Sequence, residues 1–506
     1  MSYVVTTPEM LAAAANDVGN IGSAISTASS NAAGPTTGLI PAAEDEVSMA
    51  IAKLFGAYGQ EYQALVSQAS AFHDEFTQAL AASGNAYLEA EAANSALMLG
   101  PSNPLNTIAS PIQTLFGQPA LTGGSGEASA MTSMASMSRA AAADPLTALI
   151  MGGTGNPTPN PAYVTSIFNS YIQPNPLFAG ATPQGLFTPE QFWPITPNLG
   201  NLTYGQSVAQ GTGLLNDALV GPSGVLTQGN SAVVVGYSQS AAVANNEINA
   251  LMAAGSPYQD QLSFMLLANP NTPDGGILSR FPGFYLPFLD VPFNGATPPL
   301  SPYLTSMYTI QYDGIANAPQ YPLNLVSDAN AVAGYFTLHS TYPTLSAAQV
   351  ANAVALPTSP GYTGATQYYE LLTQNLPLLQ PIRDIPFLGN PLADLVQPDL
   401  RVLVDLGYGS YGPGLNYANI PTPAGLFEVV NPFTTGPDLA LGAVQGPQSA
   451  LVDLGLLPQS ATPTIYPYVP SIDPNLNFFL GQPSVTGLSL LSGATGDLLH
   501  LIPPIH

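Results

Sequence analysis

Cysteine is absent from this chain of 506 residues, which excludes disulfide bonds, thiol catalysis and cysteine-ligated metal sites. Histidine is also scarce. The four histidines are His73, His339, His500 and His506. A histidine-rich metal centre is therefore not expected, and we predict that the protein needs neither a metal ion nor an organic cofactor.

Basic residues are few: five Lys+Arg stand against thirty Asp+Glu, for a formal net charge of −25. Phosphate binding needs clustered cations, so the charge balance speaks against nucleic acid and against electrostatic docking on anionic membranes. Charged residues make up only 7% of the chain and hydrophobic residues 46%. Such a composition fits a protein at a lipid-rich boundary, although a solvent-exposed secreted protein could share it.

Two targeting features are missing from the sequence. The opening MSYVVTTPEM has no Lys or Arg, so we expect no cleavable signal peptide. No apolar run reaches the length of about eighteen residues that would predict a transmembrane helix. Export from the cell would therefore depend on a different signal.

The first 95 or so residues predict an α-helical hairpin. Thr7, Pro8 and Glu9 are typical of a helix start, with a hydroxyl cap, a proline in the first turn and a favourably placed acid. Apolar residues recur at helical spacing on both sides of a Gly- and Pro-containing interruption at 34–41. Two such helices bury too little surface to be stable alone, so a partner is expected to cover them.

The amino-acid composition changes twice beyond the hairpin. Residues 97–143 are rich in Ser, Ala, Gly and Met, which indicates a mobile linker. From Pro145 onward, short apolar runs end in polar or glycine turns and alternate with helical stretches, which predicts an open parallel sheet. These runs are 146–151, 232–235, 262–268 and 305–312.

The segment SAVVVGYSQSAA, residues 231–242, has the strand–turn–helix pattern of a nucleophile elbow. Ser238 lies in the turn, and the small residues Gly236 and Ser240 flank it at the positions where backbones must approach closely. The common form has glycine where this chain has Ser240. The alternative is an ordinary serine in a strand-to-helix turn.

A nucleophilic serine needs a base and an acid that orients it. His339 is the only histidine inside the predicted α/β region, and it follows Ser238 as the α/β-hydrolase order requires. Asp313 closes a predicted strand between the two and is our candidate for the acid. The other acids considered are Asp274, Asp290 and Asp328, none of which follows a clear strand.

Acyl transfer also requires hydrogen-bond donors for the oxyanion. The backbone N–H of Gln239, next to the nucleophile, is one candidate. The second is expected from the turn 152–155, with Thr154 favoured and Gly153 beside it. This turn could instead bind phosphate, but it has neither the dinucleotide-binding spacing nor the lysine of a P-loop.

The opening of the chain resembles the mycobacterial PE family, both in Pro8-Glu9 at the head of the hairpin and in Tyr87-Leu88-Glu89-Ala90-Glu91 just past it. The resemblance implies that Tyr87 and Glu91 form a type VII secretion signal of the pattern Y-x-x-x-D/E. It also implies that the hairpin pairs with a PPE protein in a four-helix bundle, and that the protein is secreted to the cell wall or cell surface.

The later part of the chain resembles the PE-PPE domain, a serine hydrolase fold similar to cutinase. The likeness is carried by GGTGNPTP (152–159), TPEQFWP (188–194), GYSQSAA (236–242), QYDGIANAP (311–319) and NLPLLQPIR (375–383). It implies a triad of Ser238, Asp313 and His339 and esterase activity on acyl esters, within lipid metabolism. Relatives of this kind also transfer acyl groups to glycolipids.

The expected organisation has four parts. These are a PE hairpin at 1–95, a flexible linker at 96–144, an α/β serine hydrolase domain at 145–415, and a Pro/Gly-rich segment at 416–506 that wraps the domain or stays loosely ordered. The expected function is secreted serine esterase. The alternatives are an acyltransferase acting on a cell-envelope glycolipid, and a non-catalytic surface protein.

Overall fold

The computed structural model describes residues 145–502 continuously, together with scattered positions between residues 16 and 77. The chain divides into two compact units, Met1–Ser138 and Arg139–His506. The proposed helix start at Thr7, the linker and the proposed signal at Tyr87 and Glu91 lie outside the described residues.

In the first unit, every described position between 16 and 37 and between 48 and 77 is helical. Gln63 Nε2 donates a hydrogen bond of 3.2 Å to the carbonyl oxygen of Ser29. Further along, a Cβ on Gly59 would lie 2.5 Å from the carbonyl oxygen of Thr36. Ser29 thus contacts Gln63 while the later Thr36 contacts the earlier Gly59, so the two segments run in opposite directions. This confirms the predicted helical hairpin.

The second unit contains a seven-stranded sheet, which confirms all four of the strands predicted from the sequence. Its strands are β1 (Leu146–Ile150), β2 (Thr182–Gly185), β3 (Ser231–Tyr237), β4 (Leu262–Leu267), β7 (Leu304–Ile310), β8 (Val354–Ala355) and β9 (Thr366–Leu371). The order is β2-β1-β3-β4-β7-β9-β8, and every pair is parallel except β8 with β9. Strands β5 (Tyr285–Leu286) and β6 (Val291–Pro292) form a separate short hairpin. This open parallel sheet agrees with the predicted α/β-hydrolase class.

Over residues 145–502, the described part of the second unit, ten α-helices connect or cover the strands. They are α1 (Pro161–Ile167), α2 (Tyr204–Val220), α3 (Gln239–Ala253), α4 (Ile277–Arg280), α5 (Leu325–Thr337), α6 (Ala347–Ala351), α7 (Gln380–Arg383), α8 (Gly389–Asp405), α9 (Pro432–Asp453) and α10 (Gly487–Leu499). Within the described residues, no helix has both the length and the apolar character needed to cross a bilayer.

The central strands are buried on both faces because helices cover both sides of the sheet. Alternate residues of each strand point to opposite faces. Leu149, Val234 and Phe264 belong to one hydrophobic cluster, which also includes residues of α2 and α3. Ile150 and Met265 belong to the other, which includes residues of α1. The sheet therefore forms a rigid support for the turns at its carboxyl edge.

The sequence left open whether residues beyond 416 wrap the domain, and the described residues 416–502 do. Helix α9 packs so closely on α8 that a Cβ on Gly446 would lie 2.1 Å from the carbonyl oxygen of Leu395. Helix α10 likewise packs on the backbone two residues before β5, where a Cβ on Gly496 would clash with the Gly283 carbonyl oxygen. Glycine is therefore the residue that permits each contact.

Candidate active site

Ser238 occupies the sharp turn between β3 and α3. Its φ of 56° and ψ of −116° lie in a backbone region that residues other than glycine rarely adopt, at a cost of about 1–3 kcal/mol. A Cβ on Gly236 would lie 2.6 Å from the carbonyl oxygen of Ser240, so the position two residues before the serine must be glycine. Ser240 Oγ accepts a 2.8 Å hydrogen bond from the backbone N–H of Tyr237, which closes the turn. A serine thus fits where the common pattern has glycine.

The three predicted triad residues converge at the carboxyl edge of the sheet. Ser238 Oγ lies 2.7 Å from His339 Nε2. His339 Nδ1 lies 2.9 Å from Asp313 Oδ1 and 3.0 Å from Oδ2 of the same carboxylate. Ser238 follows β3, Asp313 follows β7, and His339 begins a short 3₁₀ turn directly after α5. A hydroxyl, an imidazole and a carboxylate therefore form one continuous hydrogen-bonded chain.

Asp313 is fully buried and its carboxylate has further donors. Oδ1 accepts a hydrogen bond of 3.0 Å from the Ile315 backbone N–H, and Oδ2 accepts one of 2.9 Å from the Tyr342 hydroxyl. Burial, followed by the charge of Asp313, raises the pKa of Tyr342 well above its ordinary value. The Tyr342 hydroxyl therefore stays protonated and can donate to the carboxylate.

His339 is also held through its backbone and its ring face. The hydroxyl of Tyr237 donates a 2.6 Å hydrogen bond to the His339 carbonyl oxygen, and the two rings stack with centroids 5.7 Å apart. Tyr335 lies on the imidazole as well, with centroids 5.5 Å apart. A Cβ on Gly153 would lie 2.8 Å from the Tyr237 ring, so the glycine turn packs directly against this tyrosine.

The candidate oxyanion residues lie together beside Ser238. Thr154, which is exposed, donates from Oγ1 to Gln239 Oε1 over 2.7 Å. The buried amide of Gln239 donates from Nε2 to the carbonyl oxygen of Gln191 over 2.9 Å and to Ser207 Oγ over 3.0 Å. The Gln239 backbone N–H begins a helix, where amide groups have no acceptor within the helix. The turn 152–155 and the start of α3 are thus joined side chain to side chain.

Of the other three acids considered, two have partners elsewhere. Asp274 forms a buried ion pair with Arg280 at 2.8 Å. Asp290 accepts hydrogen bonds from Thr203 Oγ1 at 2.5 Å and from the Tyr285 hydroxyl at 2.8 Å. Asp328 lies in the first turn of α5. In the described residues, only Asp313 among the four aspartates hydrogen-bonds to His339.

The remaining histidines do not enter this site within the described residues. The sequence left open whether the segment that contains His500 is ordered. His500 follows the last residue of α10, and its ring stacks on Tyr285 with centroids 4.0 Å apart. His73 and His506 lie outside the described residues. Within those residues, no cluster of three or more histidine or carboxylate side chains could hold a metal ion.

Several supporting residues could not be identified from the sequence. Tyr237 and Tyr342 support the histidine and the aspartate, and the stretch 188–191 supports the glycine turn. The sequence offered one signal for this stretch, its place in the segment TPEQFWP. A hydrogen-bonding role for its side chains depends on packing that no local pattern reveals.

Comparison with known proteins identifies the family of this chain. The sequence profile of the PE family matches residues 4–94, and the profile of the PE-PPE domain matches residues 179–409. PE family protein PE3 of Mycobacterium tuberculosis strain ATCC 25618 / H37Rv is 55% identical over 508 residues, which cover 100% of both chains. The chain belongs to the PE family.

Other relatives share parts of this PE family protein. Esterase PE16 of the same strain is 45% identical over 455 residues, covering 89% of this chain and 77% of the relative. The uncharacterized PPE family protein PPE28 of that strain is 44% identical over 309 residues, or 60% of this chain and 46% of the relative. No solved structure gives a significant match. Strand β1 and the turn 152–155 precede the range that the PE-PPE profile matches.

Proposed function

We propose that this PE family protein is a serine carboxylic ester hydrolase that works through an acyl-serine intermediate at Ser238. The observation that carries the proposal is the 2.7 Å contact of Ser238 Oγ with His339 Nε2, continued at 2.9 Å to Asp313 Oδ1. The PE-PPE profile and the 45% identity to a relative named as an esterase support it.

In the first half-reaction, Ser238 Oγ attacks the carbonyl carbon of the ester while its proton passes to His339 Nε2. Asp313 accepts the hydrogen bond of Nδ1–H, which keeps the other nitrogen free as a base and stabilises the imidazolium. The oxyanion receives hydrogen bonds from the backbone N–H groups of Gln239 and Thr154. When the intermediate collapses, the alkoxide leaves and takes the proton from Nε2, so the acyl group stays on Oγ.

In the second half-reaction, water takes the place of the departed alcohol. His339 Nε2 removes a proton from the water as its oxygen attacks the acyl carbon, and the same donors hold the second oxyanion. The carbon–Oγ bond then breaks, Oγ recovers the proton and the carboxylic acid leaves. An acceptor hydroxyl in place of water would give acyl transfer, for example to a glycolipid.

The surface next to the histidine favours an acyl chain as substrate. Helix α5 leads into His339, and its last residues include Tyr335, which is 44% exposed, and Phe336, which is 73% exposed. Tyr335 lies directly on the imidazole. An acyl chain leaving the ester carbon along these rings would bury apolar surface worth about 0.8 kcal/mol per CH₂ group.

A fluorophosphonate probe tests the nucleophile. The purified full-length protein should be labelled on Ser238 and should hydrolyse p-nitrophenyl esters. The Ser238→Ala variant should lose labelling and slow turnover by roughly 10⁶-fold. Ser240→Ala serves as the matched control, since its hydroxyl only closes the turn, and it should still be labelled. Labelling that persists in Ser238→Ala would contradict the proposal, and ester products on an added sugar would indicate acyl transfer.

We further propose that the helical hairpin pairs with a PPE family protein and that Tyr87 and Glu91 direct type VII export to the cell wall or surface. The match of residues 4–94 to the PE family and the antiparallel contact of Gln63 with Ser29 support this part. Co-expression with a PPE protein should yield a stable complex through the first 95 residues.

A further inference from the structure

We infer that Glu190 is a positioning residue, which holds the turn 152–155 against the start of α3. The inference rests on the proposed function, because that turn matters to catalysis only if Ser238 forms an oxyanion nearby. Glu190 itself touches neither Ser238 nor His339 in any hydrogen bond of the described residues. Its effect would pass through Gly155 and Gln191.

The stretch 188–191 connects the two sides of the candidate oxyanion site. Glu190 accepts a 2.9 Å hydrogen bond at its carbonyl oxygen from the backbone N–H of Gly155. The next residue, Gln191, accepts a 2.9 Å hydrogen bond at its carbonyl oxygen from Gln239 Nε2. Thr154 Oγ1 donates to the same side chain of Gln239. A shift of the Glu190 backbone would therefore move both proposed donors relative to Ser238.

The side chain of Glu190 lies in a closed and weakly polar environment. It is 1% exposed. Oε1 accepts a 2.7 Å hydrogen bond from the hydroxyl of Thr188, and buried Oε2 has no partner in the described residues. Tyr163 of α1 and Tyr204 of α2 are the titratable groups that interact electrostatically with it, and no cation does so among the described residues.

The backbone at Glu190 is also constrained. Its φ of 48° is left-handed, a conformation that costs a residue other than glycine about 1–3 kcal/mol and persists only where the surroundings enforce it. Thr188 supports the same stretch from the other side, since its backbone N–H donates a 3.2 Å hydrogen bond to the Pro157 carbonyl oxygen. The backbone of this stretch is thus held in place, and the protonation of the Glu190 carboxyl group is what can change.

Burial raises the pKa of Glu190 to about 8. Below that pH the group is neutral and compatible with its site. Above it, an unpaired buried carboxylate forms, which water or backbone movement must accommodate. The pKa is higher in the folded than in the unfolded chain, so the stabilisation present in acid is lost as the pH rises through about 8. The connection to Gly155 should weaken in the same pH range.

The test compares pH profiles of the full-length protein and its Glu190→Gln variant, which keeps the shape but cannot ionise. In the wild type, kcat for a p-nitrophenyl ester should fall about tenfold by pH 9, where about one molecule in ten retains the proton. Glu190→Gln should keep its activity to pH 9. The matched control is Glu247→Gln, another buried glutamate, whose Oε1 accepts from Asn216 instead. This control should retain the wild-type profile.

A second readout is independent of esterase activity. Hydrogen–deuterium exchange of the peptide containing residues 152–157 should be faster in the wild type than in Glu190→Gln at pH 9 and equal at pH 7. If no variant hydrolyses esters but this difference appears, the proposed function fails while the positioning role stands. Identical alkaline profiles and identical exchange in the two proteins would overturn the inference. Should Glu190→Gln not fold, Glu190→Met offers a second uncharged side chain for the same measurements.

Discussion

The hydroxyl of Tyr342 donates a hydrogen bond of 2.9 Å to Oδ2 of Asp313, the carboxylate that orients His339. The same hydroxyl accepts a hydrogen bond of 2.7 Å from the Ile310 backbone N–H at the end of β7. Tyr342 therefore ties the carboxylate to the sheet. Hydrogen bonds to charged groups contribute about 1.5–3 kcal/mol each, so this contact has a measurable effect on the position of the acid.

Tyr342→Phe should lower kcat/KM for a p-nitrophenyl ester by about 10- to 100-fold, because the carboxylate loses one of its donors. The melting temperature should fall as well, since the Ile310 N–H is left buried without its acceptor. Tyr171→Phe is the matched control: its hydroxyl donates to the Tyr342 carbonyl oxygen at 2.9 Å and does not touch Asp313. A similar loss of stability without loss of activity in Tyr171→Phe would isolate the effect on the acid.

Removing the base should be nearly as damaging as removing the nucleophile, because the two act as a unit. His339→Ala should therefore approach the Ser238→Ala rate. Asp313→Asn should cost less, on the order of 10³–10⁴ in kcat. His500→Ala should lower stability slightly through its lost stacking on Tyr285 and leave turnover unchanged. Loss of turnover in His500→Ala, with normal turnover in His339→Ala, would contradict the assignment.

Thr154→Val removes the hydroxyl that donates to Gln239 Oε1 but keeps the backbone N–H proposed for the oxyanion. We expect kcat to fall about 10-fold with little change in KM, since a hydrogen bond of about 1–1.5 kcal/mol that fixes the donors is lost. Thr212→Val is the control, because the Thr212 hydroxyl bonds only within α2, to the Val208 carbonyl oxygen. A loss expressed in KM alone would indicate that Thr154 binds substrate rather than positions a donor.

The residues of the candidate site could be predicted from the sequence where few residues could fill a chemical role. Only one histidine lay in the predicted α/β region, and Asp313 followed a readable strand, so both could be named before the structure. The supporting contacts could not. Tyr342 lies 29 residues from Asp313, and Gln239 lies 48 residues from Gln191. Such pairs meet only once the strands are ordered in the sheet.

Strands could be predicted from the sequence where they are buried on both faces and therefore form continuous apolar runs, as at β3 and β4. It was less readable at β9, whose sequence TQYYEL mixes exposed and buried positions. Helix α9 gave no helical signal because it contains Pro437 and Pro447. Proline in a helix interior costs about 3 kcal/mol, and here close packing on α8 accompanies it.

Stability should depend on pH through Glu370, another buried carboxyl group. Burial, then the charges of Asp274 and Asp405, raises its pKa from 4.5 to about 8. Because the folded pKa is the higher one, the stabilisation present below pH 4.5 declines as the pH rises and is lost above about 8. Glu370→Gln keeps an acceptor for Asn317 Nδ2, which now donates over 3.2 Å.

We therefore expect the wild type to lose more unfolding free energy between pH 6 and pH 8.5 than Glu370→Gln, by about 2.5 kcal/mol at most, which a larger fall in its melting temperature should show. The exposed Asp260 gives the control Asp260→Asn, which should follow the wild type at every pH. Parallel curves for the wild type and Glu370→Gln would show that Glu370 does not change its protonation on unfolding.

Export should depend on the first unit and catalysis on the second. Deleting residues 1–95 should abolish secretion while the remaining chain keeps its esterase activity. A deletion that instead abolished the melting transition of the remaining chain would mean that the hairpin covers the catalytic unit rather than a partner.

Single substitutions should separate the secretion signal from hairpin folding. Tyr87→Ala and Glu91→Ala should each block export without lowering the melting temperature, because both residues follow the apolar stripe that the sequence predicts for the second helix. Glu89→Ala is the matched control, since Glu89 lies between them outside the Y-x-x-x-E pattern, and it should be exported normally. Secretion and melting measured side by side decide the matter. Equal export of all three variants would remove the signal from this segment, whereas a shared drop in melting temperature would mean that Tyr87 and Glu91 belong to the folded hairpin.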